Sequence, residues 1–382
     1  MKILHTSDLH LGRTFNGLSL ESDHGAILEQ VVQTAKNRAV DVVVIAGDIF
    51  DRAAPPATAV RQFNGFLTRI ASETKAAVVL IAGNHDSGDR IASMSVMPDT
   101  RRALIRGVVS ADEKPLLLQD AHGLVAFSGL PFTYEYAARA CFGDETMQTP
   151  HQVLAAQLAA ARQHVPPGAR WVVVSHAFVA GAEGSDSERS LVPIGVGGLE
   201  TVPPEAFAGA QYVALGHLHR AQSAGAPHIR YSGSPLAFGF DEADAVKSMT
   251  VVEIDAVGAV EVAAIPFQPL RDVRIVKGRH AELLLNEASD DIIKVILTDE
   301  TSVIDAMKRL RVVFPNACDM IYAREEQARE LKPFEARTLA TANPADVVND
   351  FLKLVRDTSM TDEEASVLDS ALGAITKAET AA

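Results

Sequence analysis

One recurrence limits the possible folds of this chain more than any other property. Short runs of β-branched and aliphatic residues end, one after another, on clusters of metal-ligating side chains. KILHT (2–6) leads to Asp8-Leu9-His10, DVVVIAG (41–47) to Asp48-Ile49-Phe50-Asp51, and AVVLIAG (77–83) to Asn84-His85-Asp86. WVVVS (171–175) is followed by His176, and YVALG (212–216) by His217-Leu218-His219. Short apolar runs without polar alternation read as strands buried on both faces. Helical stripes lie between them. Ile27, Leu28, Val31, Val32 and Ala35 follow a cap expected at Asp23, and Val60, Phe63, Phe66, Leu67 and Ile70 form a second stripe. Alternating strands and helices predict βαβ units, whose strands present their carboxyl ends, and any ligand, at one edge. The clusters are therefore expected to converge. Glycine before Asp48, Asn84 and His217 is expected to let the backbone turn sharply there.

The 382 residues are too many for one small domain. With 47% hydrophobic and 22% charged residues, disorder over the whole chain is excluded. No apolar run approaches the roughly 18 residues of a membrane span. The opening MKILHTSDLHLG meets Asp and His too early for a signal peptide. Cys141 and Cys318 cannot make a disulfide framework, so a reducing cytoplasm is the expected location. The net charge of −14 argues against coating DNA unaided, because phosphate affinity comes mainly from cationic side chains. Bound metal ions or a basic partner would change that balance.

The chain reads as several parts. Residues 1–269 hold the clusters and close on a hairpin, 249–255 with 260–265. Residues 270–324 form a small α+β domain with strands at 273–277, 292–297 and 317–323. A polar, broken linker covers 325–343. Residues 344–382 carry two helices, the first with a stripe of Val347, Val348, Phe351, Leu352 and Val355 and no core of its own.

Taken singly, each cluster has an ordinary reading as turn chemistry or surface histidine. Their joint order, D-x-H, GD, GNHD, H, GHxH, is what chance does not assemble. A mixed Asp, His and Asn donor set suits Mn²⁺, Fe²⁺ or Zn²⁺ rather than a thiolate-loving ion.

This order resembles the calcineurin-like metallophosphoesterases. More narrowly, it is similar to the Mre11-like nuclease subunits of bacterial SbcC–SbcD complexes, through HTSDLHLGR, GDIFDRAAPP, IAGNHDS, SERSLVPIGVGGLETVPPEAF, YVALGHLHRAQ and YSGSPLAFGFDE. Phosphoprotein phosphatases of the superfamily carry Glu after GNH and Gly after DR, where Asp86 and Ala53 stand here. The resemblance implies an α/β fold: a calcineurin-like metallophosphoesterase β-sandwich flanked by helices, with the small α+β domain as a cap and the C-terminal helices behind it. It implies two divalent cations, Mn²⁺ foremost, with Mg²⁺, Fe²⁺ or Zn²⁺ as alternatives. Asp8, His10 and His219 would hold one ion and Asn84, His176 and His217 the other. Asp48 would bridge them at about 3.5–4 Å. His85 would be the general acid, with a ring oriented by Asp51. Arg52 would touch phosphate or cap a helix.

The implied activity is phosphodiester hydrolysis: an ATP-regulated 3′–5′ double-strand exonuclease and a single-strand and hairpin endonuclease, serving DNA repair, recombination and replication. The implied partners are DNA ends and hairpins, SbcC (an SMC-like coiled-coil ATPase) and a second copy of the chain, with no membrane. The tail stripe would lie in a groove of the ATPase. The small domain would sort duplex from single strands. Arg90, Arg101, Arg102 and Arg106 would contact phosphates, and Phe63, Phe66 and Met94 would be dimer or core contacts. A phosphoesterase acting on a small phosphodiester or nucleotide is the alternative, and a scaffold with a silent site the third reading.

Overall fold

The central strands are apolar along most of their length because they are covered on both sides. In a six-stranded sheet the order is β14 (Val260–Pro266), β13 (Ser248–Ile254), β1 (Lys2–Thr6), β4 (Val42–Ala46), β5 (Ala77–Ile81), β6 (Ala103–Arg106). β1, β4, β5 and β6 run parallel, and β13 is antiparallel to both β1 and β14. A short hairpin of β2 (Thr14–Phe15) and β3 (Leu18–Ser19) leaves the first ligand-bearing loop. A second six-stranded sheet has the order β11 (Gln222–Ala224), β12 (Ala226–Tyr231), β10 (Tyr212–Gly216), β9 (Arg170–His176), β8 (Gly123–Leu130), β7 (Leu116–Asp120). Here β12, β10, β9 and β8 are parallel. Ile3, Val42, Val44 and Val79 of one sheet meet Phe127, Val172, Val174 and Ala214 of the other in a shared core. Leu4, Val43, Ile45 and Leu80 point the opposite way, against α1 (Glu21–Asn37) and α2 (Ala57–Glu73), joined by Ile91 of the short α3 (Gly88–Ser93). Trp171, Val173, Val213 and Leu215 do the same against α5 (Pro150–Arg162). Burying each such side chain is worth ~1.5–3 kcal/mol, so the layers rest on burial rather than on any single polar contact.

The structure is a computed structural model that describes residues 1–96, 102–185, 188, 201–325, 360, 361 and 364–368. The chain divides into one unit, Met1–Tyr322, and a second, Ala323–Ala382. The expected linker from 326 onward and the stripe from Val347 to Val355 lie outside the described residues, as does Arg101. Among the described residues no helix is long and apolar enough to cross a membrane.

Within the first unit a three-stranded parallel sheet, β15 (Val273–Gly278), β16 (Ile292–Leu297), β17 (Ala317–Tyr322), has its own core of Leu283, Ile293, Val295, Leu297, Leu310 and Phe314. Val273 and Ile292 belong instead to the main helix-side core, so the small sheet is seated on the larger body. Arg271, just before it, donates from Nε to Asp23 Oδ1 at 3.1 Å and from Nη2 to Ser19 O at 2.8 Å. Asp23 is thus not the cap of α1. Leu20 occupies that position, and Asp23 sits in the first turn, committed to Arg271.

Other expectations are corrected by packing. Of the two readings for Phe63 and Phe66, the core one holds, both being buried on the helix side; Met94 packs against the same core, partly buried. The arginine cluster is not one surface. Arg106 Nε donates to both Glu113 oxygens at 2.9 and 2.8 Å, and Arg102 Nη2 donates to Ala76 O at 3.1 Å, at the amino end of β5. Strands β2, β3, β6, β7, β11 and β12 escaped the sequence reading. β7 and β11 lie at the rim of their sheet, where half-exposed polar residues dilute the apolar signal.

Among the polar links between the two sheets, one carries a buried titratable ring. His5 in β1 sits within hydrogen-bond reach of the Tyr212 hydroxyl at 2.9 Å and of Leu215 O at 3.1 Å, both in β10. Burial, helped by Arg230 and opposed by the Leu215 hydrogen bond, holds the imidazole down at about 3. The folded chain keeps His5 neutral, while the unfolded chain takes up a proton near 6.5. Stability therefore falls as pH drops from 6.5 toward 3, by up to roughly 1.4 kcal/mol per pH unit from this group. The His5→Gln variant should show a shallower fall in unfolding free energy between pH 6.5 and 4.5 in urea titrations; equal slopes would contradict the account.

Candidate metal centre

β1, β4 and β5 end at one edge of the first sheet, and β9 and β10 end beside them in the second. The backbone immediately beyond these ends is unusual. Asp8 (φ 53°), His10 (φ 44°), Asp48 (φ 46°) and His217 (φ 106°) all lie at positive φ. Such conformations cost of order 1–3 kcal/mol each and persist where the surroundings over-determine them. Here a ladder does so: Asp8 N–H donates to Gly47 O (3.1 Å), His10 N–H to Asp48 O (3.0 Å) and Leu11 N–H to Ile49 O (2.9 Å). Asp86 clamps the same loop, its carboxylate accepting from Ile49 N (3.1 Å), Phe50 N (2.9 Å) and Gly83 N (2.9 Å).

The glycines act differently from the expectation. Gly47 does turn, at φ 91°. Gly83 and Gly216 are needed for space. A Cβ on Gly83 would stand 2.2 Å from Asp48 Oδ1, and one on Gly216 1.8 Å from Ala46 O. The sharp turns are taken by Asp8, His10, Asp48 and His217 themselves.

The side chains from these loops converge. Ligand atoms of Asp8, His10 and His219 lie within 4.8 Å of one another, as do those of Asp8, Asp48 and His176 and those of His10, Asp51 and His85. Asn84 Oδ1 is 2.9 Å from His176 Nε2 and 3.1 Å from His217 Nδ1. His10 Nε2 is 3.2 Å from His219 Nε2. Asp8, His10, Asp48, His176 and His219 are buried, and Asn84, His85 and His217 half-buried. His85 stands beside this set, its ring held by Nδ1–H donating to Asp51 O at 2.9 Å. The holder is the Asp51 carbonyl, not its carboxylate, which lies 3.4 Å from Arg13 Nη1. Arg52 is exposed and does not cap α2, whose cap position is Pro56.

Proton bookkeeping tests whether this donor set fits a cation. His176 Nδ1 faces Ala46 O at 2.9 Å, and a carbonyl can only accept, so Nδ1 carries the proton. Its Nε2 then presents a lone pair to the oxygen of Asn84. His219 Nδ1 likewise faces Glu242 Oε1 at 3.3 Å, leaving an Nε2 lone pair toward His10. His10 Nδ1 is buried without a hydrogen-bond partner. At His176 a lone pair faces an acceptor oxygen across buried space, and the two repel unless a cation lies between them. A second group fixing the outer nitrogen of a ligand imidazole is the usual metal-site pattern. The residues fit divalent metal.

The comparisons with known proteins agree. The sequence profile of the calcineurin-like phosphoesterases matches residues 1–221. The chain belongs to this family. A second profile, the type 5 capsule protein repressor C-terminal domain, matches residues 266–356. The SbcD component of the SbcCD nuclease of Staphylococcus epidermidis (strain ATCC 12228 / FDA PCI 1200) is 29% identical over 320 residues, covering 83% of this chain and 84% of that protein. Two solved structures are similar at low scores. The phosphopantetheinyl hydrolase of Mycobacterium tuberculosis has 14% identity and a TM-score of 0.36, over 61% of this chain and 90% of that one. GAP50, the anchor in the inner membrane complex of Plasmodium, has 10% identity and a TM-score of 0.38, over 84% and 96%.

As a calcineurin-like phosphoesterase the chain is a metal-dependent hydrolase of phosphoester bonds, and its electrostatics suit that task. Burial, then the neighbouring His219 and His85, hold His10 well below its ordinary range; burial also lowers His176 and takes His217 to about 3. All three are therefore neutral donors at neutral pH, supplying lone pairs rather than competing charge. Burial and the nearby Asp48 push Asp8 well above the usual carboxylate range. The same two causes take Asp86 up to about 7, against its three N–H donors. A bound cation reverses that repulsion.

Three supporting residues were missed by sequence reasoning. Glu242 and Lys247 back His219: burial resists ionisation of Glu242, but the His219 hydrogen bond and the Lys247 charge prevail and lower it to about 2. Glu188 accepts from the His219 backbone N–H. Both glutamates fall in segments singled out for the family resemblance, but nothing in the sequence says which histidine they face.

Gly83→Ala should lose metal uptake in isothermal titration and melt lower, since its Cβ collides with Asp48. Gly65→Ala, in open space inside α2, should instead gain about 0.5–1 kcal/mol and bind metal as before.

Proposed function

We propose that this phosphoesterase is a DNA nuclease with two divalent cations, most simply Mn²⁺, working with an SMC-like coiled-coil ATPase of the SbcC kind in the cytoplasm. The observation that carries the reading is likeness to a nuclease component across most of both chains. On this reading residues 1–269 are the nuclease body, 270–324 a cap beside the cleft, 325–343 a linker and 344–382 the ATPase-binding tail. The activity is an ATP-regulated 3′–5′ exonuclease on duplex ends and an endonuclease on single strands and hairpins, with the chain as a homodimer inside the larger complex.

Asp8, His10 and His219 would hold one cation and Asn84, His176 and His217 the other, with Asp48 serving both. Bound divalent cations supply Lewis-acid polarisation and neutralise charge on the phosphoryl oxygens. The chain's own residues do the rest. His85 has its Nδ1 proton committed to the Asp51 carbonyl, so Nε2 is the atom that carries or releases a proton. Nε2 lies 3.9 Å from Asp48 Oδ2, at the edge of the ligand set but outside it. That position suits a general acid serving the departing sugar oxygen. Asp51 is the positioning residue, through its backbone. The −14 charge fits a chain that binds DNA weakly alone and relies on its partner for cationic surface.

Asp48→Ala should abolish uptake of both cations. His85→Leu should keep them, by titration and metal analysis, yet lose cleavage by at least ~10²-fold. Full activity in the His85 variant would remove the proton-donor role. Deleting residues 344–382 should leave the nuclease chemistry intact and abolish pull-down of the ATPase. Labelled linear and hairpin DNA with Mn²⁺ or Mg²⁺, with and without the partner ATPase, separates the readings. Partner-dependent cleavage supports the nuclease, whereas hydrolysis confined to small phosphodiesters would sink it.

A further inference from the structure

The segment after β8 places aromatic rings where folding alone gives them no task. Of the five tyrosines in the chain, Tyr212 and Tyr231 are fully buried, whereas Tyr134 and Tyr136 are 50% and 66% exposed. These two are stacked, with ring centroids 5.7 Å apart and planes at 12°. Tyr134 meets Phe132 edge-on at 4.9 Å, and Phe132 meets the ligand imidazole of His176 at 6.3 Å. A continuous line of rings therefore runs from solvent to the metal centre.

The line is held rigidly. Phe132 N–H donates to Ala82 O at 3.0 Å, tying the segment to the strand end that carries Asn84 and His85. The buried Gln157 donates from Nε2 to Pro131 O at 3.0 Å and to Thr133 Oγ1 at 3.3 Å, from α5 behind. Tyr134 is the cap position of α4 (Glu135–Phe142), and Tyr136 lies in its first turn. Exposed aromatic faces on a pinned backbone cost little ordering entropy when something planar lands on them. Every nucleobase has such a face, and stacking on aromatic side chains is how single strands are gripped without reading sequence. A duplex keeps those faces covered, so the ladder favours a base that is already unpaired.

We propose that Tyr134 and Tyr136 form a stacking platform for an unpaired nucleobase next to the scissile phosphate, making them binding residues that favour single-stranded over duplex substrate. The platform rests on the nuclease reading above and adds to it a grip on the base, separate from the phosphoester chemistry.

The test pairs protein and substrate changes in the full-length chain with Mn²⁺. Tyr134→Ala/Tyr136→Ala and the single variant Tyr136→Ala are compared with wild type on a single-stranded oligonucleotide and on the same strand with abasic residues around the cut. The alanine variants should raise KM on the intact strand by about tenfold with kcat within twofold, and change nothing on the abasic strand. Tyr→Phe at both positions should restore the wild-type KM. A 2-aminopurine at the same position should be quenched by wild type and not by the double variant. Equal losses on intact and abasic strands, or no loss at all, would overturn the platform. So would an altered oligomeric state of the variants in solution, which would make the rings a protein interface. Wild-type protein that cleaves neither strand under any condition would bring down the nuclease reading itself, and the platform with it.

Discussion

The centre depends on imidazoles whose outer nitrogens are held by neighbours, so that their inner nitrogens face a common space. Ala46 O and the Glu242 carboxylate take the outer protons of His176 and His219, so their inner nitrogens present lone pairs to a common space. Burial opposes charging His10, His176 and His217, because an imidazolium there would lose its hydration, and the pull of Asp48 on His176 and His217 does not make up for that loss. With Asp8 and Asp48 crowded into the same volume, the arrangement is electrostatically unfavourable until a divalent cation enters. Folding thus builds a charge deficit whose remedy is the cofactor.

Such a site needs a stiff frame, and the sandwich supplies it. The central strands of both sheets are buried on both faces, so their ends have little freedom to relax. Positive-φ backbone at Asp8, His10, Asp48 and His217 is tolerated because burial elsewhere offsets a few kilocalories of local strain. Asp86 shows the same economy on a smaller scale. Its short side chain accepts three backbone N–H groups and fixes the loop bearing Asp48 and Asp51. A longer glutamate would set that carboxylate one methylene further out.

Charge and aromatic surface divide the work of holding a substrate. The chain is acidic, so attraction of a polyanion falls on the bound cations and on whatever partner is present. Stacking on Tyr134 and Tyr136 is independent of net charge. On the proposed nuclease reading, that division leaves the local grip to the rings and long-range attraction to the cations and a partner.

Residue order alone was enough to locate most of the core strands, and the edge where the Asp, His and Asn side chains gather. Uniformly apolar short runs followed by Asp, His and Asn can satisfy both halves of their pattern in few ways. The small α+β sheet at 273–322 was legible for the same reason. Other features depend on contacts between distant residues: that Asp23 holds Arg271 instead of capping a helix, that Phe63 and Phe66 face inward, that Arg106 is consumed by Glu113. The roles of Gly83 and Gly216 follow the same rule, since a demand for space exists only once Asp48 and Ala46 have arrived. Which nitrogen of each histidine is free, and which rings line up toward His176, emerged with the folded chain. Proton placement and ring alignment belong to neighbours brought together across the two sheets, and no local stretch of chain encodes them.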